Sequence, residues 1–151
     1  MWIYTIKEGR GFLKLFNEEN QHVGEILYEF VTGINRRIKI DNEIYKIKNI
    51  GFLWHDTNVF DKNGTLVLKN DYAKNRIFYY DQDTEFFTYK FKGWLNKKLC
   101  LYNNQDQLVL MMGYKQKIFK NQYTIEIEKG FTNYIVILSL LNFYISELSS
   151  A

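Results

Sequence analysis

Between Gly130 and Glu147 the chain carries no charged residue. The run is Phe131-Thr132-Asn133-Tyr134-Ile135-Val136-Ile137-Leu138-Ser139-Leu140-Leu141-Asn142-Phe143-Tyr144-Ile145-Ser146. A segment this apolar must be hidden from water, and its hiding place constrains everything the remaining residues build. Ser139, Asn142 and Ser146 recur at spacings of three and four. On a helix they form one narrow polar stripe, and Ile, Leu, Val, Phe and Tyr fill the rest of the circumference. Gly130 supplies a break, and Thr132 or Asn133 an N-cap. The β-branched run Ile135-Val136-Ile137 lowers helix propensity without forbidding a helix. A strand followed by a turn is the alternative, but the stretch is long for a strand. A helix over about 131–148 is expected.

A helix apolar all round is either a membrane span or the centre of a protein core. The uncharged run falls short of the roughly 20 residues that cross a bilayer. It also contains two Asn and two Ser, and no basic cluster flanks its far end. Burial in protein is favoured over a tail anchor.

The residues before it read as strands. In Phe86 to Phe91, Phe87, Tyr89 and Phe91 alternate with Phe86, Thr88 and Lys90. In Tyr123 to Glu128, Tyr123, Ile125 and Ile127 alternate with Thr124, Glu126 and Glu128. Period two is the signature of a strand with one face in a core. Leu108, Leu110 and Met112 have apolar neighbours Val109 and Met111, which predicts a strand covered on both sides. Polar turn clusters such as Asn17-Glu18-Glu19-Asn20 and Asp61-Lys62-Asn63-Gly64 punctuate the chain. Strands are predicted near 2–7, 11–17, 23–30, 35–40, 43–49, 51–60, 65–70, 76–80, 85–91, 97–102, 107–113, 115–119 and 122–128. Proline is absent, so it breaks none of them. Three hairpins resemble one another around Phe16-Asn17, Phe60-Asp61 and Tyr102-Asn103. That spacing is near a propeller period, but three blades are too few and leave the helix no place. Similar hairpins of one meandering sheet are the preferred reading.

With 151 residues and no Ser/Gly/Pro-rich linker, residues 1–151 form one domain. A mainly β fold follows: a closed antiparallel barrel of about twelve strands around the buried C-terminal helix. An eight-stranded barrel is filled by its own side chains, whereas a wider one admits a helix. The helix and strands of seven or eight residues both span about 25 Å.

A twelve-stranded barrel around an apolar C-terminal helix resembles the Tubby C-terminal-like superfamily, and most of all its compact LURP-one-related type. The resemblance is carried by the final Phe131-Thr132-Asn133-Tyr134-Ile135-Val136-Ile137-Leu138-Ser139-Leu140 and by the hairpin Phe60-Asp61-Lys62-Asn63-Gly64-Thr65-Leu66. The superfamily also includes the phospholipid scramblases. The resemblance implies a non-enzymatic role near membranes, since Tubby domains bind phosphoinositide head groups through basic residues. No head-group motif matches residue by residue.

The candidate anion-binding residues are Arg36, Arg37, Lys39, Lys46 and Lys48, which bracket the turn at Asp41-Asn42. In a hairpin Arg37, Lys39, Lys46 and Lys48 share one face, where several cations can hold a phosphate or a lipid head group. An ordinary solvated face is the plainer reading, and Asp41 and Glu43 dilute the patch. Lys115, Lys117 and Lys120 with Lys97 and Lys98 form a looser second cluster.

Other constellations point away from chemistry. His55 and Asp56 are neighbours on an expected strand and face opposite ways, which argues against a dyad. His22 and His55 are the only histidines, so neither zinc nor another cofactor is expected. All four serines, Ser139, Ser146, Ser149 and Ser150, lie in or after the helix, and no serine-hydrolase elbow exists. Cys100, the lone cysteine, reads as a small buried hydrophobe and allows no disulfide within the chain. Asp81-Gln82-Asp83-Thr84-Glu85 lacks the central glycine of a calcium loop. Trp2, Trp54 and Trp94 are expected to pack in the core or at the barrel rim.

Net charge is +3 with both signs interspersed, so no nucleic-acid partner is expected. Lacking an export signal and paired cysteines, the chain is expected in the cytoplasm, peripheral to a membrane. The expected function is non-enzymatic binding or scaffolding, with an anionic lipid surface or a protein as partner. A lipocalin-like small-molecule carrier and a tail-anchored membrane protein are the alternatives.

Overall fold

A computed structural model describes residues 1–51, 55–95, 97–116 and 121–149. Twelve strands precede one helix: β1 (Trp2–Gly9), β2 (Phe12–Phe16), β3 (His22–Leu27), β4 (Arg37–Ile40), β5 (Glu43–Ile50), β6 (Asp56–Phe60), β7 (Leu66–Asp71), β8 (Arg76–Tyr80), β9 (Thr84–Lys92), β10 (Lys98–Tyr102), β11 (Leu108–Gln116), β12 (Asn121–Ile127) and α1 (Tyr134–Ser149). Each strand pairs antiparallel with the next in sequence, and β12 pairs with β1 to close the barrel. The closing register sets Tyr4 opposite Ile125. Closure removes every sheet edge.

The alternation in the sequence chooses the inward face. Phe87 and Tyr89, and Ile125 and Ile127, are buried as their period predicts. Two of the expected strands, 107–113 and 115–119, are instead joined in β11, and Lys117 to Lys120 lie outside the described residues. Residues 52–54, inside the expected strand 51–60, also lie outside them, and β6 begins at Asp56.

The interior is filled by α1. Nine consecutive residues, Val136 to Tyr144, are buried. Nine residues make two and a half turns, so protein covers the helix in every direction around its axis. Asn133 is the cap: its Oδ1 accepts the N–H of Val136 at 3.2 Å. The helix presses hardest on β3, where a Cβ on Gly24 would lie 2.6 Å from Leu138 Cδ1. Glycine is needed there for close approach of backbone and helix. At the far end Tyr144 donates its hydroxyl to the Lys97 carbonyl at 2.6 Å. Among the described residues, no helix is long and apolar enough to cross a membrane.

The three similar hairpins are β2–β3, β6–β7 and β10–β11, one every fourth strand. In each, the side-chain oxygen of Asn17, Asp61 or Asn103 accepts two backbone N–H groups, two and four residues ahead, at 2.9–3.0 Å. Each has a bulge beside its aromatic residue, Phe16, Phe60 or Tyr102. A lysine of the preceding strand lies over that ring: Lys7 at 4.8 Å, Lys48 at 5.5 Å and Lys90 at 5.7 Å. One device thus recurs three times around a single meandering barrel, which makes each repeat an internal control for the other two.

Candidate functional site

The hairpin β4–β5 brings most of the predicted cations together. Arg37 pairs directly with Lys46, and Lys39 with Ile44, so Arg37, Lys39, Lys46 and Lys48 share the outer face. Directly opposed like charges on one sheet face are destabilising. The other repeats also hold opposed lysines, Lys7 with Lys14 and Lys92 with Lys98, but not at this position. Lys46 pairs with the aromatic Phe60; the residues that pair with Phe16 and Tyr102 in the same way are Thr5 and Thr88. A lysine therefore replaces a threonine in this repeat alone, and it faces an arginine.

The neighbourhood tempers the field only in part. Lys39 lies opposite Glu25 of β3, an opposite-charge cross-strand pair. Glu43 is turned to the barrel end, where it accepts the Tyr45 hydroxyl at 2.9 Å. Lys48 keeps the stacking role that Lys7 and Lys90 have elsewhere, and its ammonium remains exposed on this face.

Arg36 leaves the predicted cluster. It precedes β4, and its Nη1 donates to Asn142 Oδ1 of the central helix at 2.9 Å. Its Nε donates to the Gly33 carbonyl at 3.2 Å, and its guanidinium lies 5.2 Å from the Tyr28 ring centroid. It braces the plug of the barrel and is not part of the outer face. In the second cluster, Lys97, Lys98 and Lys115 are exposed at one barrel end, while Lys117 and Lys120 lie outside the described residues.

Cavities open at both ends of the barrel. At the end where α1 begins, an open cavity of about 450 Å³ is lined by Glu43, Tyr45, Asp61, Tyr79, Tyr80 and Asp81 among others. Burial, then the hydrogen bond to Glu43, pushes the Tyr45 hydroxyl up to about 12. Burial and the charges of Asp81 and Glu85 raise Tyr79 as well. At the end where α1 finishes, a cavity of about 70 Å³ is lined by Asn49, His55, Thr57, Asn142, Phe143, Ser146 and Glu147.

Beside this smaller cavity runs a polar layer. Thr57 Oγ1 donates to Asn49 Oδ1 at 3.3 Å, and Tyr89 donates its hydroxyl to Asn70 Oδ1 at 2.9 Å. Thr57 pairs with Asn70 where the other repeats pair Leu13 with Ile26 and Leu99 with Met112. Burial raises the Tyr89 hydroxyl far above the ordinary range. The second repeat thus departs from its siblings twice, in Lys46 at the position of Thr5 and Thr88 and in a polar interior.

No family model matches the chain, and no curated protein matches it. A solved structure is similar. It is a protein of Arabidopsis thaliana with 14% identity and a TM-score of 0.45, and the match covers 98% of this chain and 91% of that one.

Both histidines pack on aromatic rings. His55 stacks on Tyr72 with ring centroids 4.7 Å apart, and the Asp56 carboxylate accepts the Tyr72 N–H at 3.0 Å. His22 tilts against Phe16 at 5.4 Å. Cys100 is buried. Trp2 packs partly buried against the core, and Trp54 lies outside the described residues. Trp94 does not pack: it is 85% exposed. Its signal in the sequence was the adjoining Gly93, which marks a turn and not a strand.

Proposed function

We propose that the chain is a non-enzymatic binding protein whose outer face on β4 and β5 contacts anionic phospholipid head groups. The observation that carries this reading is the opposition of Arg37 and Lys46, flanked by Lys39 and Lys48. An opposition that costs stability, at a position where the other two repeats carry Thr5 and Thr88, is explained by an anionic partner. A phosphate between the two cations turns repulsion into a pair of charge-assisted contacts. The resemblance to Tubby-like barrels supports the same reading, with the protein peripheral at a membrane.

Sedimentation with vesicles tests it. Binding is expected to vesicles of phosphatidylserine and phosphatidylcholine and not to phosphatidylcholine alone. Lys46→Thr installs the residue of the other repeats and is expected to weaken binding about fivefold, since each cation near an anionic surface contributes about 1 kcal/mol. Equal binding to both vesicle types removes the proposal. Vesicle binding that Lys46→Thr leaves unchanged moves the contact away from this face.

A further inference from the structure

The two ends of the barrel differ sharply. The described connections at the end where α1 begins are 17–21, 41–42, 61–65, 81–83, 103–107 and 128–133, and they carry eight carboxylates against two lysines. Those at the opposite end are 10–11, 28–36, 51–55, 72–75 and 93–97, and their described residues carry one carboxylate, Glu29, against four cations, of which Arg36 is turned onto Asn142; the end of α1 adds Glu147 there. Among the described residues, the same end bears most of the exposed large apolar side chains. Phe30, Val31 and Ile34 in one loop are 60%, 92% and 59% exposed, and Trp94 and Leu95 in another are 85% and 90% exposed. Single exposed hydrophobes are ordinary, but their concentration on one end is not.

The first of these loops is built to hold its side chains outward. The Gly33 N–H donates to the Glu29 carbonyl at 2.7 Å, and the Glu29 N–H to the Ile34 carbonyl at 3.0 Å. Thr32 Oγ1 donates to the Glu29 carboxylate at 3.2 Å. At its base Arg10 lies 5.6 Å from the Phe30 ring. At the base of the second loop Lys92 and Lys98 stand directly opposite each other, a further pair of opposed like charges beside Arg37–Lys46 and Lys7–Lys14.

We infer that this end is a membrane-docking face, in which Val31, Phe30, Trp94 and Leu95 enter the head-group and upper acyl region of an anionic bilayer. The inference rests on the anionic-lipid reading above and adds the orientation and the apolar contact. Apolar side chains with a ring of cations are the complement of an anionic interface, and indole is the side chain such interfaces favour. The acidic end points away from the bilayer, so the field of the barrel orients it before contact. Arg37 follows directly after the 28–36 loop, and Lys39 lies about 7 Å further along the strand. The basic face therefore begins at the membrane surface, within a Debye length of about 8 Å. A second copy of the chain is a poorer occupant, since two cationic ends would meet.

Depth-dependent quenching tests the inference. Leu95→Cys is labelled with an environment-sensitive thiol dye; Cys100 is buried and stays unlabelled. Gln105→Cys, in the loop at the acidic end, is the control. With vesicles containing phosphatidylserine and bromine-bearing lipid, the label at 95 is expected to shift blue and quench, and the label at 105 to do neither. Val31→Ser with Leu95→Ser is expected to weaken vesicle binding at least tenfold and leave its salt dependence unchanged. Binding without quenching at 95 overturns the docking face while leaving the head-group proposal standing. No vesicle binding at all overturns both. A dimer in sedimentation velocity that dissociates in the double serine variant overturns docking in favour of self-association.

Discussion

Arg36 and Asn142 meet at 2.9 Å at one end of the barrel, guanidinium to amide oxygen. Asn142 is 5% exposed, between Ser139 and Ser146 on a largely apolar helix. A buried amide without a partner costs about 1–3 kcal/mol. Arg36 thus works as a latch: it holds the helix in one rotation and one depth.

Removing the latch has a defined consequence. Arg36→Ala is expected to destabilise the protein by about 1–3 kcal/mol, read from urea unfolding. Arg36→Ala combined with Asn142→Leu is expected to recover most of that loss, because no buried polar group is then stranded. Equal stability of the two variants would dismiss the latch.

The polar layer invites a similar exchange. Thr57→Leu with Asn70→Met copies the pair used by Leu99 and Met112, yet it strands the buried Tyr89 hydroxyl. The double variant is expected to lose about 1–3 kcal/mol, and adding Tyr89→Phe to restore it. If the triple variant is no better than the double, the layer is held by packing and not by hydrogen bonds.

Lys46→Thr should move stability and binding in opposite directions. Relief of the Arg37–Lys46 repulsion is expected to stabilise the fold by about 0.2–1 kcal/mol, while affinity for anionic vesicles falls. Thermal unfolding with and without vesicles measures both. A variant that loses stability would show that the lysine serves the fold.

Alkali should unfold the protein in a specific window. Burial is the largest cause that pushes Tyr45, Tyr123 and Tyr144 each up to about 12, above the ordinary tyrosine value of 10.0. The folded chain therefore keeps protons that the unfolded chain has lost. Stability from these groups is full below pH about 10 and declines as pH rises towards about 12. Tyrosinate absorbance and circular dichroism should change together. Independent ionisation at pH 10 without loss of structure would contradict this.

Much of the architecture was legible in the residues themselves. Period-two patterning selects the inward face of a strand, because successive side chains must point to opposite sides of the sheet. An uncharged run too short for a bilayer must lie in a core, and only a barrel wider than eight strands has room for it. Those two constraints determine a barrel with a helix inside. They also place Arg37 and Lys39, whose strand parity matches that of Lys46 and Lys48.

What pattern could not supply was decided by the three-dimensional fold. Arg36 sits one residue ahead of β4, where parity has no meaning, and the path of the loop turns it onto Asn142. The same limit applies to Trp94 and Leu95: an aromatic residue in a turn is buried or exposed according to the way the turn leaves the barrel. The segregation of charge is hidden in a chain whose signs are interspersed. Successive connections alternate between the two ends, so acidic and basic loops mix along the sequence and separate only once the strands run antiparallel. The sequence by itself determined which faces meet; the closure of the barrel decided which loops share an end.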